Sequence, residues 1–429
     1  MIQNRSRNTA RYYIFIVFAL AFFFFTSDFG LIDVQKTAIV MATGIDREED
    51  EFILTSQIAI PQSSLQGKST QAVQLVSRGR TVAEAFEQIN AKTGWYPKLV
   101  FCKLILLGEK AAKENVFDAL DFFLLDEYLS DSCQVAVCEG YAKDILNTAA
   151  LVDPSSSVAI GKVLSAHAER VGDVHPASLK NFAIGYFGDS KSGLLPVIEI
   201  KPQQEEIGSS SQANEGKNKT SPTATQSSKA GKGFSLTASQ AGETEQGDNQ
   251  NGQEGKSSNN KPVFSAKQTA LFVDGKWKST LTPEETFAVN AASGKMRLAN
   301  YSVDLVTGAC SLVVKRNDPK IKLSVGKEGQ GAAHIRLTIT AGLVDYSKSV
   351  DVDKIKDVGD VPDGAFAAAE KKLAAEIRSA YEKARGVGCD LFGLTERLVK
   401  YKNRAYRKFL DGFLANTTLS VEVKFVGVR

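Results

Sequence analysis

The stretch from about Lys201 to Lys261 divides the sequence in two. It is built from Gln, Ser, Gly, Asn, Lys, Glu and Thr, and Phe234 is its single aromatic residue. Such a segment cannot bury enough apolar surface to offset the entropy of ordering it, so it is read as a disordered linker over 201–261. The chain is therefore expected to fold as two regions, 31–200 and 262–429, with residues 1–30 set apart in front. At 429 residues and 43% hydrophobic content, each region can build a real core.

The leading segment reads as a membrane element. Arg5, Arg7 and Arg11 precede an almost uninterrupted apolar run from Tyr12 to Phe25, which Asp28 ends. Arginines before an apolar run stay on the cytoplasmic side, so the chain after about residue 28 is expected outside the cytoplasm. Fourteen apolar residues span about 21 Å as a helix, and continuing through Phe29, Leu31 and Ile32 reaches the roughly 30 Å of a hydrocarbon core. Ala19 and Ala21 form the one Ala-x-Ala pair, and cutting there would leave a mature end of four phenylalanines. The spacing favours a retained transmembrane anchor over a cleaved signal peptide.

Strand and helix signals alternate in the first region, which implies α/β layering, either as one unit or as two with a break near 153. Thr37 to Ile45 and Phe52 to Ile60 read as a hairpin with a charged tip at Asp46 to Asp50. Thr81 and Glu84 form a capping box before a helix whose apolar face is Val82, Ala85, Phe86 and Ile89. A strand over Leu99 to Leu107, a helix over Glu109 to Leu125, a strand over Ser132 to Cys138 and a short helix over Tyr141 to Ala149 follow. Leu164 to Val171 reads as a helix, and Asn181 to Phe187 and Leu194 to Ile200 as short strands.

The second region predicts an α+β domain with two long helices against an antiparallel sheet. Lys267 to Val273 leads into the turn pair Asp274-Gly275; Tyr301 to Val306, Ser311 to Val314 and Ile335 to Ala341 read as further strands. Asp363 is expected to cap a helix carrying Phe366, Ala369, Leu373, Ile377, Ala380 and Ala384 on one face, with Gly386 and Gly388 ending it. A second helix covers Leu391 to Phe413, and the last strand alternates through Leu419, Val421, Val423 and Phe425.

Composition narrows function. Lysine plus arginine (52) nearly balance aspartate plus glutamate (49), so bulk charge gives no argument for nucleic acid as a partner. The five cysteines show no CxxC or Cys/His spacing and read as buried thiols; Cys133 and Cys138 point to opposite faces of one strand. No nucleophile elbow, zincin, phosphate-loop or dinucleotide motif occurs, so neither an enzyme nor a cofactor is expected. His334 lies on the polar face of an alternating strand. His167, Asp173 and His175 cannot all share one helix face as a metal site. Arg397, Lys400, Arg404, Arg407 and Lys408 form a basic stripe on the last helix, a candidate contact for anionic lipid or a partner; an ordinary solvated face is the alternative.

Several blocks together resemble a known family. They are Ala38-Ile39-Val40 with Gly44-Ile45-Asp46, Arg80-Thr81-Val82 with Glu84-Ala85, the long block from Tyr96 to Leu146, TALFVDGKWKSTLTPEET from Thr269 to Thr286, and GVGCDLFGL from Gly386 to Leu394. In this order and spacing the chain resembles the Ger(x)C family, the C subunits of endospore germinant receptors. The resemblance implies a non-enzymatic subunit of a nutrient receptor in the spore inner membrane, its domains on the outer face, beside a polytopic A subunit and a transporter-like B subunit. Family members usually carry a lipidated cysteine after the leading apolar run, whereas the first cysteine here is Cys102. A retained helix would take over the anchoring. Leu125 stands where the family commonly has arginine. An anchored extracytoplasmic scaffold or adhesion module, and a cell-wall hydrolase, are the rival readings.

Overall fold

A computed structural model describes residues 12–22, 37–59, 72–150, 153–165, 170–201, 263–306, 308–347, 361–409 and 412–428. The expected linker, apart from Lys201, lies outside these residues, as does His167. Of the expected anchor, residues 12–22 are described, and they are helical with their apolar side chains exposed. That helix is about 16 Å long, half of a hydrocarbon core. No helix among the described residues is long and apolar enough to cross a membrane.

The first sheet is built around four parallel strands. β1 (Thr37–Glu48) pairs with β5 (Leu104–Leu107), β5 with β6 (Gln134–Cys138), and β6 with β7 (Ser192–Lys201). β2 (Glu51–Ala59) and β3 (Ala72–Gly79) extend it antiparallel beyond β1, and the short β4 (Tyr96–Lys98) lies parallel to the first residues of β1. Strand alternation divides the sheet between two cores. Ile105, Leu107, Val135 and Val137 face helices α1 (Val82–Thr93), α3 (Phe117–Leu125) and α6 (Leu179–Phe187). Leu104, Leu106, Ala136 and Cys138 face α4 (Ala142–Asn147) and α5 (Ser156–Val163) on the other side. A bulge between Val40 and Ala42 lets β1 obey both demands: Ala38, Val40 and Ile45 reach the first core although their numbers change parity.

The sheet does not stop at the linker. β8 (Val263–Val273) pairs antiparallel with β7, and β9 (Lys276–Leu281) with β8, so the first strands of the second region complete the first sheet. Ala270 and Phe272 enter the core under α1, α3 and α6, whereas Leu271 and Leu281 enter the core of the second region. A self-contained unit beginning at 262 is thus replaced by a shared strand layer.

The second sheet orders β10 (Ala299–Leu305), β11 (Gly308–Val325), β12 (Gly331–Tyr346) and β13 (Thr417–Gly427). It is mixed, because β13 runs parallel to β12. A parallel neighbour requires a crossover, and α8 (Ala365–Val387) lies in it. α8 buries Ala369, Leu373, Ile377, Ala380 and Ala384, as the spacing predicts, and ends at Gly388, whose φ is 78°. Its N-cap is Gly364, with no side-chain cap, so Asp363 does not serve as one. α7 (Pro283–Ala292) opens with a full capping box, Thr282 with Glu285, and is buried almost all round, which hides the amphipathic period.

Other elements differ locally from expectation. Residues 181–187 are helical, not a strand: Ser178 accepts from the Asn181 N–H and starts α6. The strand expected from Leu99 begins at Leu104, because a turn closed by Cys102 N–H to Leu99 O leaves Val100 and Phe101 exposed. The helix expected over 109–125 is two, α2 (Glu109–Glu114) and α3.

Candidate functional site

The carboxyl ends of β1 and β5 form the floor of a cleft of about 470 Å³ lined by Asp46, Arg47, Glu109, Lys110, Lys113, Glu114, Gly140 and Tyr141. The chain leaves β1 toward β2 on one side and leaves β5 toward β6 on the other. Such a divergence opens a crevice at the carboxyl ends, where α/β sheets receive ligands.

The run Gly44-Ile45-Asp46 builds this floor, each residue for a separate reason. A Cβ on Gly44 would stand 2.8 Å from Leu146 Cδ1 and 3.2 Å from Ala142 Cβ, so glycine lets α4 lie directly on β1. Ile45 fills the opposite core. Asp46, 2% exposed, accepts the Ala142 N–H at 2.7 Å and the Lys143 N–H at 3.0 Å, satisfying two donors at the start of α4. A Cβ on Gly108 would collide with the Asp46 carboxylate, which makes glycine necessary there too. Desolvation outweighs the two donated bonds and raises the Asp46 pKa to about 6. Sequence patterning placed Asp46 in an exposed hairpin tip; it is a buried strand residue, and the tip is Glu49-Asp50.

The rim is ionic and largely paired within itself. Arg47 Nε lies 2.8 Å from Glu114 and its Nη1 3.4 Å from Asp118, while its guanidinium covers the Phe52 ring at 5.1 Å. Lys113 pairs with Glu109, the main cause that holds the Glu109 carboxyl below its ordinary range. Glu109 also accepts the Gly140 N–H at 3.0 Å and so fixes the turn before α4. Chemically, the cleft offers two signs of charge and hydrogen-bonding edges to a small polar molecule. No group of three or more His, Cys, Asp or Glu able to hold a metal occurs among the described residues.

The expected basic helix is two, α9 (Leu394–Tyr401) and α10 (Asn403–Phe409), broken at Lys402. The stripe is therefore not one continuous face. Arg397 is half-buried, with Nη1 3.5 Å from Ile321 O, whereas Lys400 and Arg404 are exposed. Arg407 and Lys408 lie in α10, and their side chains are outside the described residues. Asp390 starts α9 as Asp46 starts α4, accepting the Leu394 and Thr395 N–H groups at 2.9 and 2.7 Å. Its own N–H donates to Ser192 Oγ at the start of β7, at 2.9 Å.

His175 is buried. Its Nδ1 lies 3.0 Å from Asn290 Oδ1 and its Nε2 3.2 Å from Lys295 Nζ, and burial holds its pKa well below the ordinary value. Asn290 also donates to Gly172 O and Val174 O, so α7 grips this loop across the linker. His334 lies on the outer strand face, 2.8 Å from Ser420 Oγ. The five cysteines are free and buried. Cys133 and Cys138 enter different cores, as alternation requires, while Cys102 and Cys133 share the first core, their thiols donating to Leu104 O and Gln134 O.

Fold and cleft together define a protein of two joined α/β and α+β layers with a charge-balanced crevice at the carboxyl ends of its parallel strands. Residues 31–200 match the family described as "Spore germination protein N-terminal domain", and residues 267–426 match "Spore germination B3/ GerAC like, C-terminal". The chain belongs to this Ger(x)C family of spore germination proteins. It is 30% identical over 119 residues to spore germination protein B3 of Bacillus subtilis (strain 168), a match covering 26% of this chain and 31% of that relative's length. A crystal structure of the GerBC protein aligns over 92% of this chain and 100% of its own at a TM-score of 0.49 and 15% identity.

Proposed function

We propose that this chain is the C subunit of a nutrient germinant receptor, a non-enzymatic subunit held at the outer face of the spore inner membrane. The observation that carries this reading is the pair of family matches, which run in order through both regions on either side of the linker. Retention by the apolar segment from Tyr12 to about Ile32 supplies the membrane link. The partners are a polytopic A subunit and a transporter-like B subunit. A supporting feature is the cleft itself, whose acids and bases chiefly neutralise one another and cap backbone. Such an arrangement fits a binding or coupling surface better than a reacting one. Arg397, Lys400, Arg404, Arg407 and Lys408 are assigned to contact with anionic headgroups or an acidic partner surface.

The test is purification of the tagged protein in mild detergent from dormant-spore membranes. Recovery of a polytopic protein and a transporter-like protein in stable proportion supports the assignment. Recovery of this chain alone from membranes whose other complexes remain intact argues for the scaffold reading.

A further inference from the structure

We infer that the β4 end of the first sheet is a lipid-contacting surface, in which Trp95, Tyr96, Val100 and Phe101 seat in the bilayer interface beside the anchor. This rests on the membrane-held reading above and adds which part of the folded protein touches lipid. Trp95, Tyr96, Val100 and Phe101 are 37%, 43%, 48% and 56% exposed, an unusual density of apolar area within seven residues. They form one place in the fold. Trp95 and Tyr96 follow the C-cap of α1, β4 then lies against Thr37 to Ile39, and the Leu99 to Cys102 turn presents Val100 and Phe101. Tyr128, 63% exposed, joins through its ring, which Lys98 covers at 5.3 Å.

The sequence also leads here. The strand that β4 lies against is the first part of β1, so the chain from the apolar helix at residues 12–22 enters the fold at this patch. With the anchor running to about Ile32, four residues, 33–36, separate it from β1, and they reach at most about 14 Å. A tether of that length holds the patch at an effective concentration near the bilayer where weak contacts suffice, since the loss of translational freedom has already been met. The chemistry suits the interface: Trp and Tyr are the side chains that settle at headgroup depth, with an apolar ring and a polar edge. Beside Phe101 an open, mainly apolar pocket of about 560 Å³ is lined by Ile39, Met41, Ala59 and Val158, with Lys103 and Lys162 among its polar residues. Lys103 beside the apolar mouth matches an anionic headgroup above acyl chains, while Lys162 is held by Asp153. The Asp46 cleft lies at the other end of β1, about 25 Å away along a strand rising about 3.3 Å per residue, and so faces away from lipid.

The chain has two tryptophans, Trp95 and Trp277, and Trp277 is 9% exposed and donates to Ser279 O. This permits a direct test with the full chain reconstituted into phosphatidylcholine and phosphatidylglycerol vesicles, some carrying brominated acyl chains. Emission from the wild type minus that from Trp95→Phe reports Trp95. The expected result is loss of most of this difference signal in brominated vesicles, more strongly with bromine near the headgroup than near the chain end, while Trp277 emission in W95F is unchanged. Equal Trp95 emission in brominated and plain vesicles, from protein that floats with them, overturns the proposal and leaves the anchor standing. Protein that does not float refutes the anchor, and the lipid contact with it.

Discussion

Asp46 should make the folded state less stable as pH rises, the reverse of an ordinary paired carboxylate. Its carboxyl has an ordinary value of 3.8 and titrates at about 6 in the fold, because burial costs more than the Ala142 and Lys143 N–H groups return. A folded value above the unfolded one means that the native state binds the proton more tightly. The stabilisation is complete below about pH 3.8 and is lost as pH rises through about 6. At 1.36 kcal/mol per unit the full loss is about 3 kcal/mol, and about 1 kcal/mol of it falls between pH 5 and pH 7. His175 works oppositely: its folded value is depressed, so its contribution is present above about 6.5 and is lost on acidification. The total pH profile therefore mixes both, and the informative quantity is the difference between the wild type and Asp46→Asn. Urea unfolding across this pH range should show wild type losing about 1 kcal/mol relative to D46N from pH 5 to pH 7. Parallel profiles, or a wild type that gains on D46N as pH rises, would refute the assigned burial and its sign.

Four further outcomes follow from the packing. Gly108→Ala should destabilise by about 2–3 kcal/mol through its collision with Asp46, whereas Gly161→Ala, with open space at its Cβ inside α5, should be neutral or slightly stabilising in the same thermal melt. Leu271→Ala should cost about 2–5 kcal/mol, and because β8 serves two cores circular dichroism should still report one transition. His175→Ala leaves Asn290 short of a partner and should lower stability by about 1–3 kcal/mol without changing which nutrients are recognised. All five cysteines should resist alkylation until the protein unfolds, since they are buried and burial pushes the Cys389 thiol to about 12.

Local signals made much of the fold legible. The face of α1, the turn at Asp274-Gly275 and the face of α8 follow from periodicity and turn chemistry alone. The errors share a cause in tertiary context. Asn181 to Phe187 is too short and apolar for its period to decide, and Ser178 tips it to helix. The pairing of β8 with β7 spans the whole linker, and strand pairing across such a distance leaves little local trace. Its one hint is the continuous run from Thr269 to Phe272, buried on both sides, which marks an interior strand. Asp46 was hidden for a related reason. Charges in series read as a solvated tip, and only the approach of α4 turns one of them into a buried cap. The basic stripe drew on a single long helix, and the break at Lys402 divides it.

The receptor assignment is tested most directly by germination of spores lacking this chain in a strain without related receptors. Response to a subset of nutrients should be lost or slowed, restoring the chain should restore it, and an agent acting downstream of receptors should still release spore contents at the normal rate. Unchanged germination with every nutrient would contradict it.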